Sequence, residues 1–190
     1  MQRLELFYPA KPFIVSQGWG ILNPAYEQFG FNRHNGIDFL TGYGTILRAP
    51  FDCTVVQTGN KPTGSGIYLT LLSKNRYSFD DGVEALVLVD LLHCEKLYAT
   101  EGDELSVGDI IAVADNTGFS TGPHTHMQVR RLSEYPGTPI DKNAANNSID
   151  PWPYFGGSYA EDAKQAKTVI VQAVSLIERI KAWLQGRSLT

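Results

Sequence analysis

Short β-prone runs broken by glycine dominate residues 13 to about 132. "TILRAPFDCTVVQTG", "GIYLTLLS", "VEALVLVDLLHCEKLY", "DIIAVAD" and "HTHMQVRRL" are rich in Val, Ile, Thr and Tyr, and Asn, Gly, Asp or Pro separates them. Runs of this kind build a mainly β, antiparallel core, not an alternating α/β sheet. "EGDELSVGDIIAVA" predicts two strands joined around Ser106 to Gly108. Residues 133 to 157, rich in Pro, Gly and Asn, predict a loop or an irregular closing segment.

Composition then changes. Ser158 and Glu161 have the spacing of a capping box, in which a hydroxyl and a carboxylate each satisfy a free backbone N–H. Behind them Ala163, Ala166, Ile170, Ala173, Ile177, Ile180 and Leu184 recur at alternating steps of three and four, a helical apolar stripe. Val169, Leu176 and Trp183 widen it beyond a coiled-coil seam. The chain therefore divides into a β domain over 1–157 and an amphipathic helix over 158–186. That helix is expected to dock on its own domain, on a second copy or on another protein. Its polar face mixes Lys, Gln, Glu and Arg without a basic bias, which argues against a membrane-surface helix.

At 190 residues, 43% hydrophobic and 19% charged, the chain suits one globular domain with an appendage. A net charge of -4 with scattered Lys and Arg gives no electrostatic footprint for nucleic acid. No segment approaches the roughly 18 consecutive apolar residues of a membrane span. "MQRLELFYPAKPFIV" lacks the basic start, apolar stretch and small-residue cleavage site of a secretory signal. Two cysteines, Cys53 and Cys94, do not make a disulfide scaffold, and the expected role is that of small buried hydrophobes.

The four histidines are placed with economy. On a strand, His124, His126, Gln128 and Arg130 share one face, and Thr125, Met127 and Val129 the other. Gly122-Pro123 predicts a turn that starts the strand at His124. Two imidazoles about 7 Å apart at their Cα atoms can converge on one small site. His34 and Asp38 would lie about 13 Å apart on a straight strand, but Gly36 between them lets the chain bend. Two histidines and one carboxylate, with an open fourth position for water, form a catalytic zinc arrangement. The remaining member of the second pair, with His93 in "VDLLHCEK", suits proton transfer and oxyanion stabilisation. Alternation places Cys94 on the face opposite His93, away from any ligand set.

These residues carry a family resemblance. "RHNGIDF", "TILRAPFDCTVVQTG", "LLHCEKL", "VGDIIAVADNTGFSTGPHTHMQV" and "IDPWPYF" resemble, in order, the lysostaphin/LytM-type zinc metallopeptidases, over roughly residues 13 to 155. The resemblance implies zinc held by His34, Asp38 and His126, with His124 as base or transition-state stabiliser and His93 assisting it. It implies an antiparallel sheet with a groove for an extended peptide, and cleavage of peptide cross-links or stems of bacterial peptidoglycan. The departures are modest: Cys94 stands where leucine is common, and "HTHMQ" replaces His-Leu-His-Phe-Glu, with neutral Gln128 on the metal face. A non-catalytic LytM-like module, binding wall or activating another hydrolase, is the alternative; such modules typically lack the ligands present here. A D-Ala-D-Ala peptidase is disfavoured by the three-residue gap between His34 and Asp38. The resemblance places the action at the cell wall, periplasmic or extracellular. With no signal read in the sequence, the expectation is either a chain trimmed from a longer protein or another route to the wall, as a phage virion-associated lysin or by release on lysis. In the phage case the helix is a candidate for docking on a virion protein or for self-association.

Overall fold

The β-prone runs form twelve strands in a computed structural model that describes residues 1–184, apart from the side chains of residues 166, 167, 169, 173, 176, 178–180 and 182–184. They are Leu6–Tyr8 (β1), Val15–Gln17 (β2), Ile37–Phe39 (β3), Ile46–Arg48 (β4), Cys53–Lys61 (β5), Gly66–Ser73 (β6), Tyr77–Ser78 (β7), Glu84–Leu97 (β8), Glu104–Leu105 (β9), Ile110–Ala114 (β10), Thr125–Leu132 (β11) and Phe155–Tyr159 (β12). Helix α1 spans Ala160–Leu184. Ten strands make one sheet, ordered β2-β3-β11-β8-β6-β5-β9, with β10 joining β4 to β8 and β7 pairing with β8. Its ladders are antiparallel, as expected from glycine-punctuated β-prone runs with no helices between them.

Period-two alternation gives the central strands two faces. Leu69 and Leu71 of β6, Val87, Val89 and Leu91 of β8, and Met127 and Val129 of β11 are buried in one hydrophobic core. Thr70, Asp90, His126, Gln128 and Arg130 point the other way and line a cleft. Cys53 and Cys94 are free, buried thiols within the core, as expected.

The two strands expected on either side of Ser106 to Gly108 are β9, which pairs with β5, and β10, which pairs with β4 and β8. Three expectations need correction. The closing segment is not wholly irregular. After a 3-10 turn at Trp152–Tyr154, β12 pairs in parallel with β1, with Leu6 opposite Phe155 and Tyr8 opposite Tyr159. That ladder keeps Ser158 extended within β12, so it does not cap the helix, which begins at Ala160. The carboxylate of Glu161 instead faces Lys11 and Arg48, at 3.8 and 3.5 Å. His124 precedes β11 and makes an isolated bridge to Asp115, so the strand starts at Thr125.

The first turns of α1 touch the sheet domain. Ala160 is fully buried, and Lys164 Nζ pairs with Asp109 at 2.5 Å. Farther along, Ile170, Val174 and Ile177 of the apolar face are at least half exposed, so this stretch does not dock on its own domain. The side chains of Ala166, Val169, Ala173, Leu176, Ile180, Trp183 and Leu184, and residues 185 and 186 altogether, lie outside the described residues. Among the described residues no helix is long and apolar enough to cross a membrane.

Candidate active site

Three strands and two loops bring the four histidines together. Asp38 of β3 sits directly across the ladder from His126 of β11, which pairs on its other side with Leu92 of β8. His34 lies outside the strand, in a loop segment pinned by His34 N–H to Ile21 O and Gly20 N–H to His34 O, both 2.8 Å. His34 Nε2 consequently stands 3.2 Å from Asp38 Oδ1, although the two residues are four apart in sequence. Gly36 contributes by its lack of a side chain. A Cβ there would lie 2.5 Å from Met127 O and 2.6 Å from His126 Nε2.

His34 Nε2, Asp38 Oδ1 and His126 Nδ1 are mutually 2.8 to 3.2 Å apart. A tetrahedral ion with bonds of about 2.0–2.1 Å spaces its ligands about 3.3 Å apart, so the triangle matches a zinc site to within about half an ångström on its shortest edge. The protons agree. His34 Nδ1–H donates to Gly18 O at 2.8 Å, which leaves Nε2 a bare lone pair aimed at the cluster. His126 Nε2 is buried against Gly36 with no hydrogen-bond partner among the described residues, a cost of about 1–3 kcal/mol accepted while Nδ1 serves the site. Burial pushes the Asp38 carboxyl up, but when the facing nitrogens of His126 and His34 carry protons their hydrogen bonds outweigh it and hold the group ionised, well below the usual carboxylate range. A bound cation would take the place of those protons. Burial likewise drives the His126 pKa down against the pull of Asp38, which keeps the imidazole neutral and able to ligate. The donor set fits a divalent cation.

His124 and His93 flank this triangle. His124 Nδ1–H donates to Gly122 O at 2.9 Å, and Nε2 faces Asp38 Oδ1 at 3.7 Å. His93 Nδ1–H donates to Thr117 O at 2.7 Å, and the two rings lie 4.7 Å apart. Burial, reinforced by the neighbouring His124 and His126, pulls the His93 pKa down to about 4. His93 reaches the site through a β-bulge. Tyr68 of β6 faces both Leu92 and His93, because Ile67 pairs with Cys94 and Leu69 with Leu91. His93 takes a positive φ of 64° there. Strict alternation from Asp90 would have sent His93 into the core with Leu91; the bulge shifts the phase, so His93 faces the cleft and Cys94 the core.

The site opens into a cleft of about 580 Å³. Phe29, at the end of a 3-10 helix over Pro24–Phe29, and the loop residue Phe119 form part of its wall, with rings 5.2 Å apart and edge to face. All five sequence-predicted site residues line it. Sequence reasoning missed Ser120, whose hydroxyl bonds Asn116 and stands 3.1 Å from His124 Nδ1. It also missed the carbonyls that orient the rings; a backbone acceptor leaves no side-chain signature, and only the loop "NTGFSTGP" hinted at them.

Comparison with known proteins agrees with this geometry. The profile of peptidase family M23 matches residues 32–146. Glycyl-glycine endopeptidase ALE-1 of Staphylococcus capitis is 31% identical over 123 residues, covering 65% of this chain and 29% of its own length. Peptidoglycan DD-endopeptidase ShyA of Vibrio cholerae is 33% identical over 96 residues, 50% of this chain and 20% of its own. The chain thus spans less than a third of the length of these curated relatives. Among solved structures, the catalytic domain of lysostaphin from Staphylococcus simulans superposes with a TM-score of 0.55 at 26% identity, covering 75% of this chain and 91% of that one. A zinc-containing peptidase from Vibrio cholerae gives 0.55 at 25% identity, over 78% and 39% of the respective chains. With its lysostaphin-like sheet and its His/Asp/His cluster, the chain belongs to peptidase family M23.

Proposed function

We propose that this chain is a zinc-dependent endopeptidase that hydrolyses peptide cross-links or stems of bacterial peptidoglycan, acting at the cell wall. The observation that carries the reading is the convergence of His34 Nε2, Asp38 Oδ1 and His126 Nδ1 beside an open cleft. The relatives named as endopeptidases of glycyl-glycine bonds and of peptidoglycan support the substrate class. Zinc held by these three residues supplies a Lewis acid that polarises a peptide carbonyl and acidifies water. His124, with Nδ1–H fixed on Gly122 O, offers its Nε2 lone pair to take a proton from the attacking water and return it to the leaving amine. His93, with Nδ1–H held by Thr117 O and a pKa pulled down to about 4, keeps a lone pair on Nε2 beside the His124 ring. It therefore assists His124 once that ring carries the proton, and the protonated His124 stabilises charge that develops on the carbonyl oxygen. The sheet floor positions an extended peptide.

Residues 1–157 are proposed as the peptidase unit, with the helix as its docking element. The exposed residues Ile170, Val174 and Ile177, spaced four and three apart, make a seam that a second copy or a virion protein would cover. The virion partner would make the chain a phage lysin. The alternative, a non-catalytic wall-binding or hydrolase-activating module, is countered by the complete ligand triangle. Zinc content and release of fragments from purified walls, measured together on wild type and His124→Ala, separate the readings. The peptidase reading predicts one zinc in both and fragments from wild type alone. Zinc-loaded wild type that leaves several wall types intact would overturn it.

A further inference from the structure

Beyond the histidines, the cleft floor carries a second group of polar residues that the hydrolytic machinery does not use. Gln57 of β5, Thr70 of β6, Asp90 of β8 and Gln128 of β11 are consecutive cross-strand partners, so they form one row across the sheet. On β11 this row lies two residues from His126, or about 7 Å along the strand. Arg130, two residues farther along β11 on the same face, leans back over the row and bonds Asp90, whose other oxygen accepts from Thr70 Oγ1 at 2.6 Å.

A guanidinium engaged only to hold the fold uses its fork in full, as Arg131 does on the opposite face against Asp81 and Asp141. Arg130 is different. One Nη is spent on Asp90, and its buried Nε has no partner among the described residues. Lys61 also lines the cleft but at its histidine end, since Lys61 pairs with Gly66 and the next residue, Ile67, with Cys94; at the row itself the charge of Arg130 meets that of Asp90 alone. Nη donors that Asp90 leaves unspent, held in a fixed orientation, match a carboxylate.

We propose that this row is a carboxylate subsite: Arg130, oriented by Asp90, binds a free carboxylate on the peptide two or three residues from the bond presented to the histidines. Asp90 acts as a positioning residue. The inference rests on the peptidase reading for its substrate and extends it to a class, peptides with an acidic group near the cleaved bond, in preference to uncharged glycine-rich bridges.

The test uses paired synthetic peptides that differ only in a glutamate or glutamine side chain, placed in turn two and three residues to either side of the cleaved bond. In one position the wild-type enzyme should favour the glutamate peptide in kcat/KM by about tenfold or more, the scale of one charge-assisted bidentate contact. Arg130→Gln should bring that ratio close to one, and Arg130→Lys should retain only part of it. A ratio measured on one preparation does not depend on how much of a variant is folded. The double variant Asp90→Asn with Arg130→Gln removes both charges and should also show no preference. Calorimetric binding of the same peptides to chelator-treated protein gives a readout free of turnover. Binding that discriminates without any cleavage would leave the subsite standing and sink the peptidase reading. Cleavage or binding with equal preference in wild type, or a preference that survives Arg130→Gln, would overturn the subsite.

Discussion

At the scale of single residues, the site depends on side chains whose neighbours leave them one useful atom. His126 presents Nδ1 because Nε2 is walled off by Gly36, so His126→Ala should abolish zinc binding, as read by metal content after dialysis. Gly36→Ala should push a methyl group into His126 and Met127 O, cost about 1–3 kcal/mol in urea unfolding and weaken zinc retention. A variant with unchanged stability and full zinc content would show that the ring does not need this glycine. The thiols give a pH prediction. Burial raises both Cys53 and Cys94 from 9.0 to about 12. The folded state therefore keeps protons that the unfolded chain loses above about pH 9, so stability should fall as pH rises from 9 toward 12. Cys94→Ala should flatten that slope, and native protein at pH 8 should resist thiol reagents until it is unfolded. His34, Asp38, His93, His124 and His126 were legible in the sequence because histidine is scarce there and both spacings carry chemistry. Which nitrogen each ring presents was not legible, since backbone carbonyls of Gly18, Thr117 and Gly122 help decide it.

At the scale of elements, alternation read β11 correctly: Met127 and Val129 face the core, and His126, Gln128 and Arg130 the cleft. The same rule applied along all of β8 fails at the bulge of Leu92 and His93, where one extra residue reverses the phase. A bulge of this kind carries no glycine to announce it; His93 itself accepts φ of 64°. His93→Gly should consequently be more stable than His93→Ala by about 1 kcal/mol in denaturant titration, while both lose turnover. Equal stabilities would mean that the strand relaxes out of the bulge once the imidazole is gone. The capping box failed for a long-range reason. Ser158 and Glu161 have the right spacing, but the backbone before the helix is committed to β1, a partner about 150 residues away that local spacing cannot reveal.

At the scale of the whole molecule, the sheet domain supplies both the cleft and a foothold for the helix. Tyr159 Oη accepts from Phe13 N–H at 3.0 Å, and Ala160 is buried, so the chain through the first helical turn is part of that domain's packing. Truncation after Gln165 should leave a folded, cleaving protein and remove association through Ile170, Val174 and Ile177. Light scattering of the full and shortened chains checks this. A full chain that is monomeric alone would exclude self-association and leave another protein as the helix's partner; loss of folding on truncation would contradict a separable docking role. Fold class and helix were legible from periodicity, while the parallel β1–β12 pair that ties the two ends of the domain together was not.

The central claim is that three side chains hold the zinc that drives peptide hydrolysis, and mass analysis of fragments released from defined peptidoglycans tests it most directly. The account predicts new peptide termini with the wild-type protein, their loss on treatment with chelator, and their return when zinc is restored to wild type but not to His126→Ala. Fragments that persist unchanged through chelation, or that His126→Ala releases as readily as wild type, would contradict it.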